Sequence, residues 1–84
     1  MQAIVSAEDQ KRLKDSADGR RREVRAVLAR IRAQRMTAGD QDLVKRIEFF
    51  LNQSDQAEHN GDMSRADDFA QSAQALARGW QSGR

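Results

Sequence analysis

The sequence predicts an all-α protein, a three-helix bundle in which a long first helix packs on an αα-hairpin. Three observations support this fold class. The 84 residues contain no proline, the residue that interrupts helices most strongly. Aromatic residues make up only 5% of the chain, and no segment alternates apolar and polar residues as a half-buried strand would. Apolar residues instead recur at three- and four-residue steps, the spacing of one helix face.

The chain is predicted to form a single helical domain over residues 1–84. A chain of this size buries only about 60% of its unfolded surface, too little for two separate cores. The sequence contains no cysteine, so it offers neither a disulfide nor a thiolate zinc site. Its apolar runs are too short for a membrane span, so we expect no transmembrane segment.

The first helix is predicted over residues 7–36. Ser6 and Asp9 fit a variant capping box at its start, and no strong helix breaker follows until residues 36–40. One apolar stripe runs along it and contains Leu13, Ala17, Val24, Leu28 and Ile31. The stripe keeps its register across Gly19, which favours one helix over two, although glycine costs roughly 1 kcal/mol relative to alanine there.

The second and third helices are predicted over residues 40–60 and 62–80, joined by a tight corner. Thr37 and Asp40 are alternative caps for the second helix. Gly61 fits the left-handed position after a helix end, and Asp62 is placed to cap the third helix. Small residues on the third helix should let the helix axes approach closely: Ala66, Ala70, Ala73 and Ala77.

The first helix is longer than the other two, so we expect its beginning to extend past them. This segment, Ser6–Asp18, offers only Leu13 and Ala17 to a core, too little to hold a helix in isolation. It should therefore fray, or dock on a second copy of the chain or on another protein. Leu13 is accordingly a candidate partner-binding residue.

The corner region also resembles a known family. Phe50, Ser54, Ala57, Asp62, Ala66 and Ala73 are spaced as in one tetratricopeptide repeat. The resemblance covers about 34 residues, the length of one such repeat, and implies two antiparallel helices in a protein-binding module. Ala70 and Arg78 depart from the family pattern, and a stand-alone hairpin with the same packing is the alternative. The segment "RIEFFLNQSDQAEHNGDMSRADDFAQSAQAL" is also similar to helical hairpins of uncharacterised bacterial exported or lipid-anchored proteins, which favours the cell envelope over the cytoplasm.

Residues that could support catalysis or metal binding are few. His59 is the only histidine, and with Glu58 and Asp62 it could contribute to a metal site, or it could simply interact with the end of its helix. No serine has a base at a recognisable spacing, and no glycine-rich phosphate loop occurs. We therefore expect no enzymatic activity, no metal and no cofactor.

The segment "RRREVRAVLARIRAQR", residues 20–35, holds seven arginines and one glutamate. The candidate binding residues here are Arg20, Arg21, Arg22, Arg25 and Arg32, beside or opposite the apolar stripe. Such a face could bind nucleic acid or anionic lipid, dock on an acidic protein surface, or simply be solvated. No aromatic residue lies between the arginines, which weighs against nucleic acid.

Phe49 is predicted to point away from the core, about 150° from the centre of the apolar face of the second helix. It is either an ordinary exposed aromatic residue or an anchor for a partner or second subunit. The charges are also unevenly distributed: residues 1–46 carry twelve basic and seven acidic side chains, and residues 47–84 carry three and six. The sequence therefore predicts a non-catalytic protein-interaction or assembly module, with nucleic-acid binding through the arginine-rich face as the alternative.

Overall fold

A computed structural model describes residues 6–83 of the chain. These residues form three α-helices and no strand: α1 spans Ala7–Ala33, α2 spans Ala38–His59 and α3 spans Met63–Ser82. Both α1 and α2 pack extensively on α3, whereas they contact each other much less. The predicted all-α three-helix bundle is confirmed, and α3 is the helix that the other two share.

The first helix begins at its predicted cap and runs through Gly19 without a break. The Ser6 side chain accepts a hydrogen bond from the backbone N–H of Asp9 at 3.1 Å, which satisfies one of the free donors at the helix start. The helix ends at Ala33, three residues before the predicted end, because Gln34 adopts an extended conformation. The chain thereby leaves the axis of α1 before it reaches the cap of α2.

The second helix begins with a reciprocal capping box. The Thr37 hydroxyl accepts from the Asp40 backbone N–H at 3.0 Å, and the Asp40 carboxylate accepts from the Thr37 N–H at 3.1 Å. The two residues predicted as alternative caps therefore act as a pair. As a result, α2 starts at Ala38, two residues earlier than the sequence pattern predicted.

The corner between α2 and α3 depends on Gly61, whose φ of 81° lies in the left-handed region. The Asp62 N–H donates to the Ala57 carbonyl at 2.8 Å and the Gly61 N–H donates to the Glu58 carbonyl at 2.9 Å. This pair of bonds is the Schellman motif that closes a helix C-terminus. The Asp62 carboxylate then accepts from the Arg65 N–H at 3.1 Å and caps α3, so α2 and α3 run antiparallel.

The core is divided into two clusters along the bundle. The larger cluster contains bulky residues from α1 and α2 packed on alanines of α3: Val24, Val27, Leu28, Ile31, Val44, Ile47, Leu51, Ala73 and Ala77. The smaller cluster, near the corner, consists of alanines with Phe69 at its side: Ala17, Ala57, Ala66 and Ala70. Helices can approach closely at the alanine cluster because its side chains are small.

The exposed beginning of α1 is shorter than the sequence predicted. Residues 6–12 are all exposed, and Leu13 is half-buried. Ala17 is fully buried in the alanine cluster, although it belongs to the segment expected to extend past the hairpin. The small side chains at the corner allow the hairpin to cover α1 as far as this residue.

Two glycines should have opposite effects on stability when replaced by alanine. A Cβ atom at Gly19 would meet no atom within 4 Å, so Gly19→Ala should raise the free energy of unfolding by about 1 kcal/mol. Gly61→Ala should lower it by about 1–2 kcal/mol, because alanine is strained at positive φ. Urea denaturation followed by circular dichroism measures both changes. A loss of stability in Gly19→Ala would contradict a continuous α1.

Candidate partner-binding site

Arg21 is buried between the two core clusters. Only 5% of its side chain is exposed. One guanidinium nitrogen donates to the Ser54 hydroxyl at 3.0 Å, and another donates to both Asp18 and Glu58 at 2.5 Å. Asp55 adds a weaker ion pair at 3.6 Å. The guanidinium is thus enclosed by groups from its own chain.

Ser54 connects the Arg21 guanidinium to the third helix. Its hydroxyl accepts from Arg21 on α1 and donates to the backbone carbonyl of Ala66 on α3 at 2.6 Å. Burial by itself lowers the pKa of Arg21, but the bonds to Glu58 and Asp18 outweigh this effect and leave the pKa raised. Arg21 therefore carries its charge inside the bundle and has no face available to an external phosphate.

Arg20 belongs to a second polar network, which joins α1 to α3. Its side chain donates to Asp67 at 3.1 Å and to the side-chain carbonyl of Gln74. The Gln74 amide donates to Glu23 at 3.1 Å, and Arg78 donates to the same carboxylate at 2.9 Å. Like Arg21, Arg20 is therefore engaged within the fold.

The arginines on the α2 side of α1 face carboxylates across a shallow groove of about 370 Å³. Arg32 pairs with Glu48 at 3.0 Å, and Arg25 pairs more loosely with Asp55 at 3.5 Å. About half of each arginine side chain remains exposed. Arg22 is exposed and has no carboxylate partner among residues 6–83. Of the five arginines predicted as binding residues, it alone is unpaired within the described part of the chain.

Phe49, Phe50 and Phe69 form a continuous row of rings on the outer side of α2 and α3, which we call the aromatic row. Phe49 is 55% exposed and is the one large hydrophobic residue that is mostly exposed within residues 6–83. Its ring meets Phe50 edge to face, with centroids 5.5 Å apart. Phe50 in turn stacks on Phe69 across the hairpin at 6.4 Å. Phe49 is thus the exposed end of a supported apolar surface.

A depression of about 420 Å³ lies beside the aromatic row, between the outer surfaces of α2 and α3. Phe69 forms one apolar wall, and Ala57 contributes a second apolar contact. The remaining lining is polar: Gln53, Gln56, Asn60, Asp62 and Arg65. An apolar surface next to a polar rim is the usual composition of a protein-binding site.

Sequence reasoning identified Phe49 but missed the other two members of the row. Their sequence spacing places Phe50 and Phe69 on the apolar faces of their helices, and both are only half-buried in the structure. The row contains three of the four aromatic residues in the chain. This concentration could have indicated the site, once the side of α3 that faces α2 was known.

The other candidate residues are not brought together. Leu13 lies on α1 and is half-buried, and His59 is exposed in the last turn of α2. Within residues 6–83, no three histidine, aspartate or glutamate side chains are grouped so that they could hold a metal ion. The Glu58 carboxylate, considered together with His59 as a ligand, accepts from Arg21 instead.

Comparisons of the chain with protein-family models, with curated proteins and with solved structures found no match in any of the three. Within the described residues, none of the helices combines the length and the apolar character needed to cross a membrane.

Loss of the buried guanidinium should strongly destabilise the fold. Arg21→Ala removes the shared donor of Ser54, Asp18 and Glu58 and leaves a cavity, so the free energy of unfolding should fall by about 3 kcal/mol. Arg22→Ala, at the neighbouring exposed position, should change it by less than about 0.5 kcal/mol. Urea denaturation of the two variants measures the difference. Equal, small effects would contradict the burial of Arg21.

The ion pairs should also make stability depend on pH. The hydrogen bond from Lys14 lowers the pKa of Asp18, and the hydrogen bonds from Arg78 lower the pKa of Glu23. The unfolded chain then takes up protons before the folded chain as the pH falls. We expect the ion pairs of Asp18 and Glu23 to stabilise the fold fully above the ordinary pKa values of these groups, 3.8 and 4.5. This stabilisation should be lost as the pH falls through their lowered pKa values in the folded chain.

Urea denaturation between pH 7 and pH 2.5, at intervals of about half a unit, measures this dependence. Glu23→Gln should be less stable than wild type at neutral pH. It should also lose less stability on acidification, since the ion pair between Glu23 and Arg78 is already absent. Asp68→Asn alters an exposed carboxylate without an ion pair within residues 6–83 and should retain the wild-type dependence. A Glu23→Gln variant with the wild-type dependence would show that the Arg78 pair does not stabilise the fold.

Proposed function

We propose that this chain is a non-catalytic helical module that binds another protein through the aromatic row of Phe49, Phe50 and Phe69. The observation that carries the proposal is the exposure of Phe49, at 55%, on top of two further rings. Phenylalanine is enriched at protein interfaces, where a few well-packed residues carry most of the binding energy.

The support beneath Phe49 strengthens this proposal. An isolated exposed ring is mobile and must lose side-chain freedom on binding, which costs about 0.5–1.5 kcal/mol for each side chain immobilised. Phe49 instead lies against Phe50, which lies against Phe69 on the next helix. A partner would therefore meet a surface that is already ordered before binding.

The spacing of residues around the corner, which resembles one tetratricopeptide repeat, points in the same direction because members of that family bind proteins. A self-associating chain would be a special case of the same function, with the second copy as the partner. The similarity to exported or lipid-anchored bacterial proteins favours the cell envelope as the location, and cell fractionation tests that part of the proposal.

Nucleic-acid binding through α1 has less support. Arg20 and Arg21 are engaged in networks inside the fold, and Arg25 and Arg32 face carboxylates of α2. Titration of a fluorescent mixed-sequence DNA at about 50 and 200 mM salt tests this alternative. Binding that falls steeply with salt would favour it, because release of counterions from phosphates produces such a slope.

Phe49→Ala should abolish partner binding and leave the fold intact. The side chain is mostly exposed, so the free energy of unfolding should fall by no more than about 1 kcal/mol. Wild type, Phe49→Ala and the control Gln71→Ala, an exposed position on α3, are immobilised and used to capture proteins from the cells that make the chain. Quantitative mass spectrometry should identify at least one protein retained by wild type and Gln71→Ala and lost from Phe49→Ala.

Sedimentation velocity of the same three chains separates the two forms of the proposal. A concentration-dependent dimer that disappears in Phe49→Ala identifies the partner as a second copy. Identical captured proteins for all three chains, with a monomer at every concentration, would contradict a binding role for the aromatic row.

A further inference from the structure

Two arginines beside the aromatic row are not used by the fold. Arg46 on α2 and Arg65 on α3 are both exposed, and neither guanidinium has an ion-pair or hydrogen-bond partner within residues 6–83. The arginines directed toward other helices behave differently. Each of those pairs with a carboxylate: Arg20, Arg21, Arg25, Arg32 and Arg78.

These two arginines lie symmetrically about the stacked pair Phe50 and Phe69. Arg46 precedes Phe50 by four residues, and Arg65 precedes Phe69 by four residues. Residues with this spacing are neighbours on one face of a helix. Because Phe50 and Phe69 stack and their helices run antiparallel, the two arginines lie at opposite ends of the stack.

The spacing of the two arginine Cα atoms along the bundle axis can be estimated from helix geometry. Four residues correspond to about 6 Å along a helix axis. Arg46 and Arg65 are therefore about 12 Å apart along the bundle, with the stacked rings midway between them. An α-helix carries side chains at this separation when they are seven or eight residues apart, on the same face.

From this arrangement we infer that the partner of the aromatic row is an amphipathic helix with two carboxylates seven or eight residues apart. An apolar side chain midway between the carboxylates contacts the rings, and the carboxylates receive hydrogen bonds from Arg46 and Arg65. Arginine suits this role because its planar guanidinium can bind a carboxylate through two parallel hydrogen bonds. The inference rests on the proposed function and specifies the chemistry of the partner.

The acidic residue nearest to one end of this surface is already engaged. Asp62 lines the depression beside Phe69, and its carboxylate accepts the backbone N–H of Arg65 as the cap of α3. The guanidinium of Arg65 has no such bond. A carboxylate from outside the described chain is the group that would complete this end of the surface.

A second copy of the chain fits this chemistry less well. Its α1 carries Glu8 and Asp15 seven residues apart, both unpaired within residues 6–83. Lys11 and Arg12 lie between them, however, where an apolar side chain is needed. The carboxylates that its α2 and α3 could offer are mostly paired with its own arginines: Glu48, Asp55, Glu58 and Asp67. Their use in a dimer would break the contacts that join the helices. An acidic amphipathic helix from a different protein pairs with Arg46 and Arg65 without breaking any of these contacts.

Three fluorescent 18-residue peptides test the inference. They share an alanine-rich helical sequence with leucine at the two central positions. Two positions seven residues apart, one on each side of the leucines, are both glutamate in the first peptide, both glutamine in the second and both lysine in the third. Fluorescence anisotropy at about 50 mM salt measures their dissociation constants for the full chain. The glutamate peptide should bind at least tenfold more tightly than the glutamine peptide, and the lysine peptide should bind most weakly.

Substitutions in the protein test whether the two arginines cause the tighter binding of the glutamate peptide. Arg46→Gln and Arg65→Gln should each weaken binding of the glutamate peptide three- to tenfold and leave the glutamine peptide nearly unaffected. Arg22→Gln, an exposed arginine on α1, is the charge-matched control and should have no effect. All three positions are exposed, so circular dichroism should show an unchanged fold.

The outcomes separate this inference from the proposed function. Equal binding of the three peptides that is lost in Phe49→Ala would overturn the acidic preference and leave the aromatic row as a binding surface. Absence of binding by every peptide, or equal losses in Arg22→Gln and the two test variants, would overturn the inference. Sedimentation showing a dimer that is lost in Phe49→Ala but survives Arg46→Gln and Arg65→Gln would replace the acidic helix with a second copy.

Discussion

The buried guanidinium of Arg21 is the constraint that the rest of the bundle must satisfy. A charge at this depth is tolerated only when hydrogen bonds replace the water it has lost. Ser54 and Glu58 of α2 supply such bonds, and Ser54 extends the contact to α3 through the Ala66 carbonyl. A shift of one helix by a single turn would separate these groups. We therefore regard the Arg21 network as the element that fixes the relative positions of the helices, while the apolar clusters on either side supply most of the stabilisation.

The uneven charge distribution along the sequence is largely explained by this internal pairing. Arginines of the first half of the chain bind carboxylates of the second half in four places: Arg20 with Asp67, Arg21 with Glu58, Arg25 with Asp55 and Arg32 with Glu48. The uneven distribution of charge along the sequence therefore does not produce an equally uneven distribution of charge on the surface. The charges left for other molecules are those that no helix of this chain faces, and they include Arg46 and Arg65 beside the aromatic row.

The features that local sequence determines were predicted, and those that depend on helix orientation were not. Gly61 and Asp62 specify the corner through their own backbone and side-chain bonds, so they could be recognised directly. The start of α2 was less predictable, because Thr37 and Asp40 each qualify as a cap and only the structure shows them acting together. Arg21 lies at the edge of the apolar stripe, as any flanking arginine would, and three of its partners are more than thirty residues away. The aromatic row could be predicted only with knowledge of which side of α3 faces α2.

The position of α3 has a consequence for how the chain folds as it is made. Both α1 and α2 bury their apolar faces against α3, and their backbones approach each other much less closely than either approaches α3. A ribosome delivers α1 and α2 first, so Val24, Ile31 and Ile47 have no complete core to enter until the alanines of α3 have emerged. A nascent chain that ends near Gly61 would hold two helical segments without a stable tertiary structure. Productive folding therefore begins only after most of the three helices have been synthesised, and the arginine-rich segment stays accessible to anionic surfaces during that interval.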